Sequence, residues 1–249
     1  MVGKGKRVSA PLFLVGSLPD GDEFRLDGPE GHHAATVQRL RVGERLVLCD
    51  GRGGTASAVV TSAGRGILDV RIDERRYAAA PDPRLVVVQG LAKGDRGELA
   101  IQAMTEVGAD TIVPWSAARS VAQWQGERGE RSRQRWVDTA REAAKQARRA
   151  WVPDVTQAES TRQVCGRVGG AGFAVVLHEE ATTSLATVEL PRTGEIAMVV
   201  GPEGGVAPDE LDAFVSAGAV SVRLGVNVLR TSTAGVAALA VLSVRLGRW

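Results

Sequence analysis

The chain of 249 residues is poor in the groups that carry covalent, metal or nucleotide chemistry. Its two cysteines, Cys49 and Cys165, lie far apart without CxxC spacing. That excludes a zinc knuckle and argues against a disulfide framework, leaving two reduced small hydrophobes of a cytosolic protein. The three histidines, His32, His33 and His178, have no carboxylates at metal-site spacing, so no metal is expected. A GxxxxGK(S/T) loop, a GxGxxG turn after a strand and a GxSxG elbow are all missing, which removes the usual nucleotide-binding and serine-hydrolase fingerprints. No apolar run approaches membrane-spanning length. The opening stretch "MVGKGKRVSAPLFLVGSLPDGDE" has the outline of a secretory leader. Its apolar run is short, contains Gly16 and ends in acidic residues without a cleavage site, so it reads as a basic tail followed by a first strand. A cytoplasmic chain without membrane partners is expected. Net charge is only +2, so any polyanionic partner must be argued from where the charge lies.

What is present is an ordinary globular composition, 44% hydrophobic and 24% charged, with 30 glycines that imply many tight turns. Residues 1–77 carry short β signals, "RLVLCD" (45–50), "TASAVV" (55–60) and "ILDVRI" (67–72), separated by glycine turns. "EGHHAATVQRLRVGE" (30–44) is the one helical interruption, and the pattern suggests a small β-barrel domain. "AAAPDPR" (78–84) reads as a linker. From 85 to 249 the pattern changes to strands alternating with helices, an α/β domain with a mainly parallel sheet. The apolar runs "LVVVQG" (85–90), "TIVPW" (111–115), "FAVVLH" (173–178), "IAMVVG" (196–201) and "VSVRLG" (220–225) are its strands. Helices are expected at 98–108, where Leu99, Ile101, Met104 and Val107 share a face, at about 130–149, from Pro208 to Ala217, and at about 232–246. "GRVGGAGF" (166–173) reads as a flexible loop.

Three of these strands end in tight turns, at Leu177-His178, at Gly201 to Gly205 and at Leu224-Gly225. Ligands of open α/β sheets bind at the carboxyl ends of strands, and glycines there let backbone groups touch the ligand. Three such ends within the last 75 residues or so suggest one composite pocket. Charge is concentrated between Arg119 and Arg149, where nine Arg or Lys stand against four acids and Trp124, Trp136 and Trp151 lie in or beside the run. A solvated helix face and a phosphate-binding surface are both compatible with that segment.

"GPEGGVAPDEL" followed by "VRLGVNVLRTSTAGVAAL" resembles the carboxyl-terminal motifs of SPOUT-class RNA methyltransferases. "HHAATVQRLRVGE", "QAMTEVGADTIVPWSAARSV" and "REAAKQARRAWVP" resemble segments of one branch, the RsmE family, which methylates N3 of a uridine in 16S ribosomal RNA of the small subunit. The resemblance covers nearly the whole chain. It implies a PUA-like β-barrel (1–77), the linker (78–84) and a SPOUT methyltransferase domain with a trefoil knot (85–249), acting as a homodimer on the ribosomal RNA or the small subunit. It also implies S-adenosylmethionine in the glycine cleft, held by Leu177, His178, Gly201, Gly204, Gly205, Leu224, Gly225, Val228, Leu229 and Thr233. RNA contacts are expected from Arg39, Arg119, Arg141, Lys145, Arg148 and Arg149. The chain departs from the family pattern at Asn227 and at Ser232, where many members carry a basic or small residue and a glutamate. A glutamate role at position 232 therefore does not carry over, although Thr231, Ser232 and Thr233 all suit a helix N-cap.

Uracil N3–H must lose its proton as the methyl arrives, so a cation near the uracil carbonyls would stabilise the developing charge. Arg230, beside the last turn, is the first candidate, with a knot-bracing role as its alternative. Glu203 is either a base or a group that satisfies loop amides, and His178 is a remoter candidate for the base. Two other readings stay open: a SPOUT methyltransferase for a transfer RNA or large-subunit RNA, and a non-catalytic RNA-binding assembly factor.

Overall fold

A computed structural model describes residues 10–249; the basic tail expected at the amino terminus lies outside the described residues. The chain divides into two compact units. One runs to Ala80 and recruits Arg148–Trp151 from the middle of the chain; the other comprises Pro81–Ala147 and Val152–Trp249.

The first unit is a five-stranded sheet of β1 (Leu12–Leu14), β2 (Glu23–Leu26), β3 (Arg45–Cys49), β4 (Gly54–Gly64) and β5 (Ile67–Tyr77). They are ordered β1-β3-β4-β5-β2 and antiparallel, except that β1 runs parallel to β3. Alternation decides which side chains are inside: Ala56, Ala58 and Val60 of β4 and Leu68, Val70 and Ile72 of β5 are buried around Phe13, Leu46 and Leu48. The strands β4 and β5 are longer than the sequence suggested and pair through irregularities at Ser57/Ala58 and Val60/Ser62. The expected helix over 30–44 is much shorter. A five-residue helix α1 (Gly28–His32) passes directly into a π-helical turn (His33–Val37), and Arg39 then takes φ +57°. Trp151 closes this unit. Its Nε1–H donates to the Ala78 carbonyl at 2.9 Å, and a Cβ on Gly53 would lie 2.9 Å from its ring. Gly53 also donates its N–H to the Ala150 carbonyl at 2.9 Å.

The second unit is an eight-stranded sheet in which every pairing is parallel. Its long strands are β6 (Arg84–Gly90), β7 (Thr111–Ser116), β10 (Phe173–Leu177), β12 (Glu195–Val200) and β13 (Val220–Arg223). Short ones are β8 (Asp154–Val155), β9 (Glu159–Ser160) and β11 (Thr183–Ser184). The order is β11-β13-β10-β12-β6-β7-β8, with β9 also on β7. Continuous apolar strands mean burial on both faces. Leu85, Val87, Ile112, Val175, Ile196, Met198 and Val200 point to one core and Val86, Val88, Val113, Val176, Ala197 and Val199 to the other. The first core is covered by α2 (Arg96–Glu106), α3 (Gly126–Gln146) and α6 (Thr231–Arg245), the second by α4 (Thr161–Gly170) and α5 (Pro208–Ser216).

Several sequence expectations are corrected here. The stretch read as a flexible glycine loop is largely the end of α4, a helix begun by a capping box in which Ser160 and Gln163 bond reciprocally. Of the face expected over 98–108, Ile101 and Met104 are buried and Val107 packs against the core, but Leu99 is 54% exposed and Ala100 is buried in addition. Trp124 and Trp136 of the basic run meet each other. They pack edge to face at 4.8 Å, and the Trp136 ring lies 3.0 Å from where a Cβ on Gly97 would sit. In α6 no side chain caps the helix: Arg230 is the N-cap, and its carbonyl accepts from the Thr233 and Ala234 amides.

Candidate functional site

All the long parallel strands point their carboxyl ends the same way, and three of those ends enclose a cavity of about 530 Å³, within the usual range for small-molecule sites. The turn after β10 supplies Leu177, His178 and Glu179; the turn after β12 supplies Gly201, Pro202, Glu203, Gly204 and Gly205; the turn after β13 supplies Leu224, Gly225, Asn227, Val228, Leu229 and Arg230. Val200, Val222 and Ala234 add apolar wall, and Arg96 and Arg223 add charge.

The glycine turn is held by close backbone packing. A Cβ on Gly90, the last residue of β6, would lie 2.6 Å from the Pro202 nitrogen, so only glycine lets the turn rest against the strand. Gly205 takes φ +73°, which favours glycine for a second reason. A buried chain of hydrogen bonds fixes the same turn to α6. Gln89 Nε2 donates to Thr231 Oγ1 at 2.9 Å, and that hydroxyl donates to the Gly201 carbonyl at 2.7 Å. From the other side Arg119 Nη1 donates to the Gly204 carbonyl at 3.1 Å. The backbone one residue before Arg119 is held by Glu210, 6% exposed, whose Oε1 accepts from the Ala118 amide and from Thr161 Oγ1, both at 2.8 Å. Thr161 Oγ1 in turn accepts from Trp115 Nε1 at 3.2 Å.

The candidate residues separate clearly. Leu177, His178, Gly201, Gly204, Gly205, Leu224, Gly225, Val228, Leu229, Glu203 and Arg230 all line the cavity. Thr233 is not among the lining residues, and its hydroxyl donates back to the Arg230 carbonyl at 3.2 Å. His178 Nδ1 accepts the Glu180 amide at 3.3 Å. Arg230 is exposed, and no side chain braces it in an ion pair among the described residues. Glu203 Oε1 accepts the Lys93 amide at 3.0 Å and lies 3.5 Å from Arg96 Nη1.

Among the basic residues, Lys145 is corrected. Its side chain is 5% exposed and its ammonium pairs with Glu142 at 3.2 Å, so it does not face a phosphate. Arg133 is likewise engaged: Glu130 raises its pKa, and Nη1 donates to the Val155 carbonyl. Arg39, Arg119, Arg141 and Arg148 are exposed and Arg149 is half-buried. Sequence reasoning missed Gly90, Gln89, Lys93, Arg96 and Arg223. Gly90 was visible as a glycine ending a buried strand, and the cationic residues lay outside the segment chosen for its charge. No cluster of His, Cys, Asp or Glu suited to a metal occurs among the described residues, and there no helix is long and apolar enough to cross a membrane.

Family models match an RNA methyltransferase domain over residues 80–243 and an RNA methyltransferase PUA domain over 26–73. A ribosomal RNA small subunit methyltransferase E from Mycobacterium tuberculosis is 50% identical over 96% of this chain and 94% of its own. The chain belongs to the small subunit methyltransferase E family. A Bacillus subtilis member is 31% identical over 91% of both chains. A Neisseria gonorrhoeae member, solved bound to S-adenosylmethionine, superposes with a TM-score of 0.85 at 25% identity, covering 95% of this chain and 98% of its own. A methyltransferase from Legionella pneumophila in complex with the same cofactor gives 0.84 at 26%, covering 96% and 98%. The PUA match lies within the first unit, and the methyltransferase match falls on the second unit apart from Ala80 and Arg148–Trp151.

Proposed function

We propose that this protein methylates N3 of a uridine in 16S ribosomal RNA, using S-adenosylmethionine bound in the cavity at the strand ends. The observation that carries the proposal is the glycine turn 201–205, wedged against Gly90 and tied to Thr231, on a chain half identical to a small-subunit methyltransferase. The cavity fits such a ligand. Leu177, Val200, Val222, Leu224 and Leu229 offer apolar surface, and Gly201, Gly205 and Gly225 let main-chain groups approach it. When bound, the cofactor supplies a methyl group already activated as a sulfonium.

The chain's own residues then orient and stabilise. Arg230 stands on the cavity wall with a free guanidinium, placed to meet the negative charge that grows on uracil oxygens as N3 loses its proton. Arg39, Arg119, Arg141, Arg148 and Arg149 supply exposed or half-exposed positive charge for RNA phosphates.

The protein works in the cytoplasm as a homodimer whose methyltransferase domain carries the family's knot. Support for the dimer comes from α6, which exposes 63% of Val244, and from the last turn, which exposes 94% of Val226 and 76% of Val228. Calorimetric titration with S-adenosylmethionine and transfer of its methyl group to small-subunit RNA test the proposal together. Absence of both would overturn it, and binding without transfer would favour an assembly factor.

A further inference from the structure

The proposed cofactor fits the cavity but does not neutralise the charge that lines it. Arg96, Arg223 and Arg230 outnumber Glu179 and Glu203, leaving one excess positive charge. S-adenosylmethionine has a sulfonium, an ammonium and one carboxylate, so its net charge is positive and adds to that excess. Two more cations border the same turn: Lys93, whose amide bonds to Glu203, and Arg119, whose guanidinium bonds to the Gly204 carbonyl. Uncompensated like charges around one cleft draw in an anion.

Glu203 shows where that anion sits. Its side chain is 23% exposed, and Oε1 is shared between the Lys93 amide and the Arg96 guanidinium. One carboxylate oxygen thereby ties the turn after β12 to the turn after β6. One contact pairs Glu203 with the Arg96 guanidinium and the other fixes the backbone at Lys93, and neither is one that proton abstraction requires. The Arg96 side chain stays 52% exposed at the cavity wall, with N–H donors beyond the one facing Glu203. Lys93 is exposed and lies outside the cavity lining.

We infer that Arg96 and Lys93 form an anion subsite on the cavity rim that takes a phosphate of the RNA strand beside the target nucleotide, with Glu203 as its positioning residue. The inference rests on the methyltransferase reading and adds a substrate contact to it. The cofactor's own carboxylate shares the chemistry of a phosphate. A strand that passes the cavity mouth would meet both the lining Arg96 and the exposed Lys93 beside it, whereas a ligand confined to the cavity would meet Arg96 alone.

The test compares Arg96→Ala, Arg96→Lys, Lys93→Ala, Glu203→Gln and the Arg96→Ala/Glu203→Gln double variant in the full chain. Melting curves verify folding, and Glu203→Asp replaces Glu203→Gln if the latter unfolds. Steady-state methylation of small-subunit RNA, salt titration of RNA binding and calorimetry with S-adenosylmethionine are the readouts. Expected are KM values for RNA raised about five-fold or more, with the loss in KM rather than kcat. Arg96→Ala and Lys93→Ala each make the slope of log K against log salt shallower by about one unit, and Arg96→Lys keeps it. The double variant is no worse than the poorer single one, because Glu203 acts through Arg96. Loss of kcat at constant KM in Glu203→Gln would make Glu203 a base and overturn the inference. A fall in cofactor affinity would give the subsite to the cofactor's carboxylate, and unchanged KM and salt slope would empty it. If the unaltered protein methylates no RNA, the methyltransferase reading itself has failed; the salt slopes still decide whether the rim binds phosphate.

Discussion

Gly90 is not itself a cavity-lining residue, yet replacing it by alanine disturbs the cofactor turn. The added Cβ would sit 2.6 Å from the Pro202 nitrogen, 2.7 Å from its Cδ and 3.0 Å from the Gly201 carbonyl carbon, where ordinary contact begins at 3.4 Å. Strand β6 is hydrogen-bonded on both sides, to β12 and β7, so the turn has to retreat, by roughly 0.8 Å. That movement also strains the 2.7 Å bond from Thr231 to the Gly201 carbonyl. Overpacking costs about 1–3 kcal/mol and a lost hydrogen bond about 1 kcal/mol more. Each kcal/mol lowers the melting temperature by roughly 2–4 °C in a chain of this size. Misplacement of a site by about 1 Å can cost on the order of 100-fold in function, so S-adenosylmethionine affinity falls at least tenfold. Gly205→Ala is the comparison. Its Cβ meets nothing nearer than Arg119 Nη1 at 3.9 Å, so only the left-handed backbone is penalised, by about 1–2 kcal/mol. Scanning calorimetry and isothermal titration on both variants should show the larger loss at Gly90. Wild-type melting and affinity in Gly90→Ala would refute the steric argument.

Arg230→Ala should retain the fold and cofactor affinity within a few-fold yet lower single-turnover methyl transfer by roughly 100- to 1,000-fold; retained activity would remove Arg230 from catalysis, and lost cofactor binding would make it a structural brace. Changing Arg148 and Arg149 together to Glu should weaken RNA binding and flatten its salt dependence, whereas Lys145→Met, at a side chain only 5% exposed, should leave the salt slope unchanged; the opposite pattern in filter binding would reverse the assignment. Sedimentation at micromolar concentration should give a homodimer that Val244→Glu shifts toward monomer, since a charge there enters the exposed apolar face of α6; a stable, active monomer would contradict the dimer.

Four of the five long parallel strands were legible because each is a largely apolar run, the pattern of burial on both faces; β13 carries Ser221 and Arg223 and buries only Val222. The convergence of the turns after Leu177, Val200 and Arg223 followed from their shared position at strand ends, together with the family resemblance. The rest depended on information that local patterns lack. The helix Thr161–Gly170 hid behind its glycines, since only Val164 and Val168 are buried in it; the Ser160/Gln163 capping box was the overlooked signal. Trp124 and Trp136 looked like part of a basic binding surface because sequence proximity to arginine does not show that the rings meet each other. Lys145 lies on the buried face of a helix whose other cations are mostly exposed. The return of Arg148–Trp151 to the first unit has no local signature, because Trp151 is placed by Gly53 and Ala78, far away in sequence.

The central claim is methyl transfer to one position of one RNA. The most direct measurement incubates the protein with S-adenosylmethionine and small ribosomal subunits from cells lacking its gene, then digests the RNA and identifies modified nucleosides by mass spectrometry. The account predicts one new N3-methyluridine in 16S ribosomal RNA, absent without the protein and strongly reduced with Arg230→Ala. Finding no new methylated nucleoside, or one only in transfer RNA or large-subunit RNA, would contradict it.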